Sequence, residues 1–447
     1  MSTQAQTTAA TSGRTRPGFL AAWQQLVGPR GVPPLPRRRG RKPRVPLTDL
    51  LAGLTFHVMH NAGTLADHFA GLFDDTLADS SWADRRARLP WDIFAELMRR
   101  VLRPKATRRH PDAFWRGWRL VALDGTQFSV TNTPQVAATT TKARTRRGRA
   151  AFAKLTTAVL LELGLHNPLA AGIGRRGESE WALAQGLLAR LPRRALLLGD
   201  RWYGVAAFVG PAQRACARVG SHFLLRASRS TKPQLVRRLP DGTRLVRLAL
   251  RARNSPTRIV KWLEVREIRV QVGRPGHQTH ELRLWTSLLD VPTAPALELA
   301  QLYAQRWEHE LYFRELKRQV RRTDVLQSHT VETAAQEIAA LVLVSALLAT
   351  ERQRVAGTQL PVLRVSFAKI LELGVKPLWL WHDLGHGILT DRQLDQITQR
   401  GYQRMRRWVT PPRRARSCLR AVRQPTQAWP RLLHPHSITG PVHFQLV

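Results

Sequence analysis

Apolar residues recur along this chain with two different periods, and the change from one to the other divides the chain into regions. Between residues 46 and 112 the spacing is helical, as in Leu47, Leu50 and Leu54. From residue 113 onward, short apolar runs predict buried strands over 119–124, 152–163, 167–173, 195–198 and 221–226, with helices over 180–191 and 205–217. This succession predicts a mixed α/β layer.

Residues 229–290 interrupt that pattern. The pair Asp241-Gly242 is a hairpin signal, and the segments 259–272 and 281–289 alternate apolar with charged residues, as half-exposed strands do. We therefore predict a β-rich insertion within 229–290. A long helix over 294–320 follows, and then an apolar helix near 334–350. Its apolar run 338–350 contains 13 residues, too few to cross a bilayer, which predicts a buried helix.

The charge of the chain is far from balanced. Its 447 residues carry a formal charge of +40, so nucleic acid is the first candidate partner and an anionic membrane surface the second. Residues 1–45 are predicted to be a basic mobile tail. The arginine-rich run 37–44 within it is either a solvated segment or a clamp on a DNA backbone. Residues 356–447 form a basic C-terminal region, which contains no carboxylate from residue 401 onward.

The helical segment 46–112 is a candidate DNA-binding domain. Residues 79–81 are predicted to cap a helix that begins near Trp82 and carries Arg85, Arg86 and Arg88. A short helix with clustered arginines either enters a DNA groove or presents a solvated face, and the sequence leaves both open.

The compartment is indicated by two observations. Cys216 and Cys418 are the two cysteines, which excludes a disulfide-rich scaffold and a cysteine-based zinc cluster and fits a reducing cytoplasm. Residues 1–17 lack the apolar core of a signal peptide, so we expect a cytoplasmic protein.

Two aspartates and one helix face carry the candidate chemistry. Asp124 and Asp200 each follow an apolar strand, where side chains converge on a ligand or simply begin a turn. On the long helix, four residues fall within an arc of about 60° at 100° per residue. They are Tyr303, Arg306, Glu310 and Lys317. The arc is either a salt-bridged surface stripe or a face that binds a metal together with a phosphate.

Three carboxylates in a strongly basic protein favour two-metal phosphoryl chemistry. Mg²⁺ prefers oxygen ligands, and two ions about 4 Å apart can activate the attacking oxygen and stabilise the leaving one. Arg306 and Lys317 would then hold phosphate oxygens. The histidines are scattered and form no metal-binding motif, so we interpret them as non-ligands.

These residues resemble a known family. The spacing Tyr-x2-Arg-x3-Glu-x6-Lys, present here from Tyr303 to Lys317, is the mark of one group of insertion-sequence transposases with a DDE catalytic triad, the group that includes the IS4-type enzymes. The Leu-Asp-Gly-Thr around Asp124, the Gly-Asp-Arg-Trp-Tyr-Gly around Asp200 and the Leu-Trp-Thr-Ser-Leu at 284–288 resemble further motifs of that group. The resemblance covers about 115–350.

The resemblance implies a fold and a reaction. It implies a ribonuclease-H-like core over 113–355, interrupted by the insertion at 229–290, with Asp124, Asp200 and Glu310 as catalytic metal ligands for two Mg²⁺ ions, which Mn²⁺ can replace. It also implies phosphate contacts by Tyr303, Arg306 and Lys317, and strand cleavage and strand transfer at the element's ends.

Partners follow from the same resemblance. They are duplex DNA with terminal inverted repeats, target DNA and a second protomer in a synaptic complex, all at the bacterial nucleoid and without a membrane. A tryptophan of the insertion can stack on a flipped base in such enzymes. Trp262 and Trp285 are the candidates, and a buried core role is the alternative for each.

Two other functions remain open. One is a decayed or domesticated copy that binds DNA without cutting it. The other is a general nucleic-acid-binding protein whose acids are structural, so that its DNA binding would not depend on metal.

Overall fold

The computed structural model describes most of the chain between residues 18 and 411. The described ranges are 18–28, 31–34, 45–60, 62–73, 77–140, 142, 144–145, 148–252, 254–272 and 280–411. The basic run 37–44 and the end of the basic C-terminal region, from 412 onward, lie outside them.

Five helices form the described portion of the N-terminal part. They are α1 (Phe19–Val27), α2 (Leu47–His57), α3 (Leu65–Phe73), α4 (Asp79–Ala87) and α5 (Trp91–Val101). Helix α2 confirms the periodicity of its leucines. Helix α1 corrects the prediction that 1–45 is a tail throughout, since Phe19, Trp23 and Leu26 are buried. Their spacing gives α1 one apolar face, which packs on α5 and the long helix α11 (Val331–Ala356).

Helix α4 begins three residues earlier than predicted, and its start is not capped by a side chain. The Asp79 carboxylate instead accepts a hydrogen bond from the Ala66 amide at 2.8 Å. Arg86 does not face outward: its guanidinium donates to the Ser328 hydroxyl and to the Thr333 carbonyl, both at 2.7 Å. Arg86 therefore joins α4 to the start of α11 and does not read a DNA groove.

One large mixed sheet forms the centre of the molecule. Its strands are β1 (Phe114–Trp115), β2 (Trp118–Val130), β5 (Ala153–Glu162), β6 (Asn167–Ile173), β7 (Ala195–Gly199), β8 (His222–Arg226), β9 (Gln234–Arg238), β10 (Arg244–Ala252), β11 (Ser255–Val272) and β12 (His280–Thr286). A separate short hairpin pairs β3 (Arg144–Thr145) with β4 (Gly148–Arg149). The strand order is β6-β5-β2-β7-β8-β12-β11-β10-β9, with β1 paired to β2. Strands β2, β7 and β8 are parallel, and every other pair is antiparallel.

The predicted insertion is present as β9 to β12, and its first hairpin turns at Asp241-Gly242. It is not a separate layer, because β12 pairs with β8 through Leu284 and Arg226 and so extends the central sheet. The sheet thereby runs without a break from the predicted α/β layer into the insertion.

Further helices cover the sheet and continue to the end of the described ranges. They are α6 (Pro134–Thr139), α7 (Glu180–Leu187), α8 (Ala206–Arg218), α9 (Ala296–Tyr303), α10 (Trp307–Arg314), α11, α12 (Phe367–Ile370), α13 (Lys376–Gly385) and α14 (Asp391–Arg406). Helix α11 extends well beyond the apolar run 338–350, and by length and composition it could cross a membrane. In this structure 89% of its apolar window is buried inside the protein. The prediction of a buried helix is therefore confirmed, although the helix is longer than its apolar run.

Candidate active site

The two aspartates lie side by side at the level where β7 ends. Strands β2 and β7 run parallel in register, with Leu123 opposite Gly199, so Asp124 and Asp200 occupy the next pair of positions. Strand β2 does not end at Asp124, as the sequence suggested, but continues to Val130, because β5 stays paired with it along that whole length. Asp124 is therefore fixed within a strand, whereas Asp200 begins the turn that follows one.

The predicted long helix is present as one continuous run from Ala296 to Arg321. It consists of α9, a tight turn over Ala304–Arg306, α10, and wider π-helical turns over Glu315–Arg321. The phenol of Tyr303 is buried and donates to the Gly199 carbonyl at 3.2 Å. This bond fixes the helix to the end of β7, beside Asp200.

Arg306 joins two of the three acids. Its guanidinium lies 3.3 Å from an Asp124 oxygen and 2.9 Å from a Glu310 oxygen, and 15% of its side chain is exposed. Further along the helix, the Lys317 ammonium donates to the Thr126 hydroxyl at 2.6 Å and to the Gln127 carbonyl at 2.7 Å. The structure thus brings the predicted helix face onto β2, next to Asp124.

Glu308 and Glu315, the acids on either side of Glu310 along the helix, point away from Asp124, as a period of 3.6 residues predicts. His166 lies between them, with its Nδ1 2.6 Å from Glu315 and its Nε2 3.0 Å from Glu308. Arg352 of α11 also contacts Glu315, at 3.2 Å. Glu308 and Glu315 therefore belong to a packing network on the other side of the helix. Burial there lowers the pKa of His166, but the charges and hydrogen bonds of Glu315 and Glu308 outweigh it, so that the pKa is raised.

Burial and neighbouring charges perturb the ionisation of the site. Burial raises the pKa of Asp124 to about 7, with the Asp200 and Glu180 charges acting in the same direction and Arg306 opposing them. Burial, followed by the charges of Arg321, Lys154 and Arg318, lowers the pKa of Lys317 to about 8. Near neutral pH the site can therefore gain or lose a proton easily, as sites of acid–base and metal chemistry do.

Two functional candidates escaped the sequence analysis. The Tyr203 phenol is buried and donates to Glu180 at 2.7 Å, and the Glu180 carboxylate lies against Gly125, the residue after Asp124. Glu180 is the first residue of α7 and is half-buried. A glutamate at a helix start is common in sequences because it favours the helix dipole, so it gave no signal.

The donor set suits a divalent cation, although the carboxylates are not gathered around one point. Carboxylate oxygens are the ligands that Mg²⁺ prefers. Within the described ranges, no three His, Cys, Asp or Glu side chains are placed to share one metal ion. The guanidinium of Arg306 lies between Asp124 and Glu310 and neutralises part of their charge. Asp124 and Glu310 are therefore chemically suited to a cation, and in this structure both are paired with Arg306.

The tryptophans of the insertion differ from one another. Trp285 is fully buried, and its indole nitrogen lies 3.4 Å from Glu267, so its core role is confirmed. Trp262 is 40% exposed, with the Arg247 guanidinium 4.7 Å from its ring centre. Trp202, in the turn after Asp200, is 63% exposed and lines a cavity of about 470 Å³ together with Trp181, Arg201 and Arg229.

Comparison with known proteins identifies the class to which this fold and site belong. Residues 115–347, more than half of the chain, match the family model of the transposase DDE domain, and the protein therefore belongs to that family. It is similar to the transposase InsG for insertion sequence element IS4 of Escherichia coli K12, with 29% identity over 252 residues. A putative transposase of the same organism, InsZ, is 27% identical over 193 residues.

The extent of these similarities is limited. The InsG alignment covers 55% of this chain and 55% of InsG, and the InsZ alignment covers 43% of this chain and 60% of InsZ. Among solved structures, the piggyBac transposase synaptic complex with hairpin DNA aligns with a TM-score of 0.45 and 9% identity, over 86% of this chain and 85% of that one.

Proposed function

We propose that this protein binds the ends of its insertion sequence and catalyses metal-dependent DNA cleavage and strand transfer, with Asp124, Asp200 and Glu310 as the catalytic acids. The observation that carries the proposal is that the helix signature contacts Asp124 and the residue that precedes Asp200. Arg306 touches Asp124 and Glu310, and Tyr303 touches the residue before Asp200. A salt-bridged surface stripe would instead be exposed, whereas Tyr303 is buried and Arg306 pairs with an acid of the central strand β2.

The strand order supports a ribonuclease-H-like core. Strands β6, β5 and β2 form an antiparallel meander, and β7 and β8 then run parallel to β2. The acids lie on the central strand β2, at the end of β7 and on a later helix. In this proposal the layout is a helical N-terminal domain (46–112), the core (113–355) with its insertion at 229–290, and a basic C-terminal region (356–447).

The side chains have distinct roles in the proposed reaction. Asp124 and Asp200, with Glu310 after Arg306 withdraws from it, would hold two Mg²⁺ or Mn²⁺ ions. Such a pair supplies activation of the attacking oxygen and stabilisation of the leaving oxygen. Arg306 and Lys317 would bind phosphate oxygens of the cut strand, since both are cationic and lie beside Asp124. Tyr303 holds the helix in place through Gly199 and would contact the phosphates near the cut.

The proposed partners are the terminal inverted repeats and the target DNA, bound as duplexes by a chain of formal net charge +40. A second protomer in the synaptic complex and residence at the cytoplasmic nucleoid complete the proposal, which involves no membrane. Of the two tryptophans considered for base stacking, Trp262 retains the exposure that this role requires.

The test compares Asp124→Asn, Asp200→Asn and Glu310→Gln with the wild type. The substrate is a labelled duplex that carries the element's own end, with Mg²⁺ present. Each substitution is expected to abolish cutting and to preserve binding. Glu332→Gln is a matched control, because Glu332 is 55% exposed and its ion pair is with Arg175, outside the predicted triad and signature.

The alternatives give different results. A decayed copy binds the end but does not cut it even as the wild type. A general nucleic-acid-binding protein binds without any dependence on metal. Metal-dependent cutting that survives all three substitutions shows that the triad is wrongly assigned.

A further inference from the structure

A fourth carboxylate lies between the two segments that carry the catalytic aspartates. One Glu180 oxygen accepts the hydrogen bond from the buried Tyr203 phenol at 2.7 Å. The carboxylate group also packs directly on Gly125, where any side chain larger than hydrogen would overlap with it. Glu180 therefore touches the residue that follows Asp124 and, through Tyr203, the turn that begins at Asp200.

The Tyr203 bond acts on the position of Asp200. The backbone amide of Tyr203 donates to the Asp200 carbonyl at 3.2 Å, and the Trp202 amide donates to the Asp200 carboxylate at 2.7 Å. Hydrogen bonds within the turn therefore hold it together, and the Tyr203 ring extends from the turn into the core. Because that ring is fully buried and its hydroxyl ends on Glu180, α7 determines where the turn sits relative to β2.

The start of α7 is itself firmly held. The Ser179 hydroxyl accepts a hydrogen bond from the Ala182 amide at 3.2 Å and caps the helix. Next to Glu180, the Trp181 ring makes an edge contact with Phe208 of α8 at 6.1 Å between ring centres. Glu180 is therefore presented from a fixed backbone and not from a loop.

The charge of Glu180 also matters for the site. Asp124, Asp200, Glu310 and Glu180 together carry four negative charges when ionised, which equals the charge of two divalent cations. A carboxylate that orients metal ligands without binding the metal typically changes metal affinity by about 10- to 100-fold when it is replaced. Glu180→Gln would still accept the Tyr203 hydrogen bond, so that variant removes the charge and keeps the bond.

We infer that Glu180 is a positioning residue of the catalytic site, which sets the distance between the Asp124 and Asp200 segments and supplies the fourth negative charge facing the metal ions. This inference rests on the proposed metal-dependent function. It concerns a residue that lies outside the three acids and the four-residue signature.

The test measures Mn²⁺ binding to the full chain without DNA, from the loss of the free-ion electron paramagnetic resonance signal. Glu180→Gln is expected to weaken binding about 10- to 100-fold. Tyr203→Phe keeps the charge and removes the bond, and is expected to weaken it by a smaller factor. Glu178→Gln is the matched control: its side chain is exposed and accepts from the Arg176 amide at 2.6 Å. In cleavage assays, excess Mn²⁺ should restore the rate of Glu180→Gln, because its defect lies in metal affinity.

The outcomes test the role of Glu180 and the proposed function separately. Affinity in Glu180→Gln within twofold of Glu178→Gln overturns the role of the charge, and unchanged affinity in Tyr203→Phe overturns the positioning role. Both results leave the proposed function intact, since the wild type still binds Mn²⁺ and cuts. If the wild type neither binds Mn²⁺ nor cuts, the proposed function and this inference fail together.

Discussion

Arg306 occupies the position between Asp124 and Glu310, so its removal should make the site more accessible to a cation. In Arg306→Gln the two ion pairs at 3.3 and 2.9 Å are lost. We expect Mn²⁺ to bind more tightly in the absence of DNA, because the ion no longer has to displace a guanidinium. We also expect DNA cleavage to fall, because the same guanidinium is the proposed phosphate ligand. The two effects have opposite signs, which ordinary misfolding would not produce.

The size of the effect follows from the contacts. At an effective dielectric constant of about 20, each pair has a gross Coulomb energy of about 5 kcal/mol. Desolvation of the three groups offsets much of it, and a hydrogen bond to a charged group contributes about 1.5–3 kcal/mol net. Losing one such contact on metal entry weakens binding by about 10- to 150-fold, since about 1.4 kcal/mol is a factor of ten. Arg306→Gln should therefore bind Mn²⁺ more tightly than the wild type by a factor of this order.

The assay is calorimetric titration of Mn²⁺ into protein without DNA. Arg318→Gln is the control, since Arg318 lies on the same helical run but is 69% exposed and pairs with Asp324. Tighter binding in Arg306→Gln than in Arg318→Gln supports the displacement argument. Equal or weaker binding in Arg306→Gln refutes it, and would mean that the guanidinium supports the acids instead of competing with the cation.

Two further predictions concern charge and pH. Lys317→Ala should reduce the magnitude of the slope of log K against log salt for end binding by about one unit, because one phosphate contact is lost. Lys369→Ala is the control and should leave the slope unchanged, because Lys369 is an exposed lysine. An unchanged slope in Lys317→Ala would mean that Lys317 has a structural role. Because Asp124 has a pKa of about 7 in the metal-free protein, it is protonated below that pH, and Mn²⁺ must displace the proton. Mn²⁺ affinity should therefore rise by about tenfold per pH unit up to about pH 7 and then level off, whereas a flat titration profile over that range would contradict the raised pKa.

The helix face was predictable because its periodicity is local. Tyr303, Arg306, Glu310 and Lys317 share one face whatever the rest of the fold does, and the structure places that face on β2. Helix α1 was also encoded, by the spacing of Phe19, Trp23 and Leu26. The prolines and basic residues around it nevertheless led to the prediction of a mobile tail. In both cases the information lies within a few turns of helix.

The contacts that the sequence did not reveal are long-range. Glu180 meets Gly125 across 55 positions, and nothing in either local pattern indicates that they touch. Arg306 was predicted as a phosphate ligand from its charge, whereas its position between Asp124 and Glu310 depends on how the helix docks on the sheet. The burial of Trp285 depends likewise on β12 joining β8 instead of forming a separate layer.

The spacing of the signature is explained by the strand beside which the helix lies. The helix is fixed at Tyr303 to the end of β7, and Arg306 then reaches Asp124 one turn later. From Arg306 to Lys317 the helix rises about 16 Å. On β2 the corresponding partners, Asp124 and Gln127, are about 10 Å apart. The Lys317 ammonium nevertheless reaches Thr126 and Gln127, as a long side chain directed toward the N-terminal end of a helix can. A shift of one residue between Glu310 and Lys317 would rotate the lysine by about 100°, away from the strand. The interval from Arg306 to Lys317 therefore fits the docking of one helix on β2, with Tyr303 hydrogen-bonded to the neighbouring strand β7.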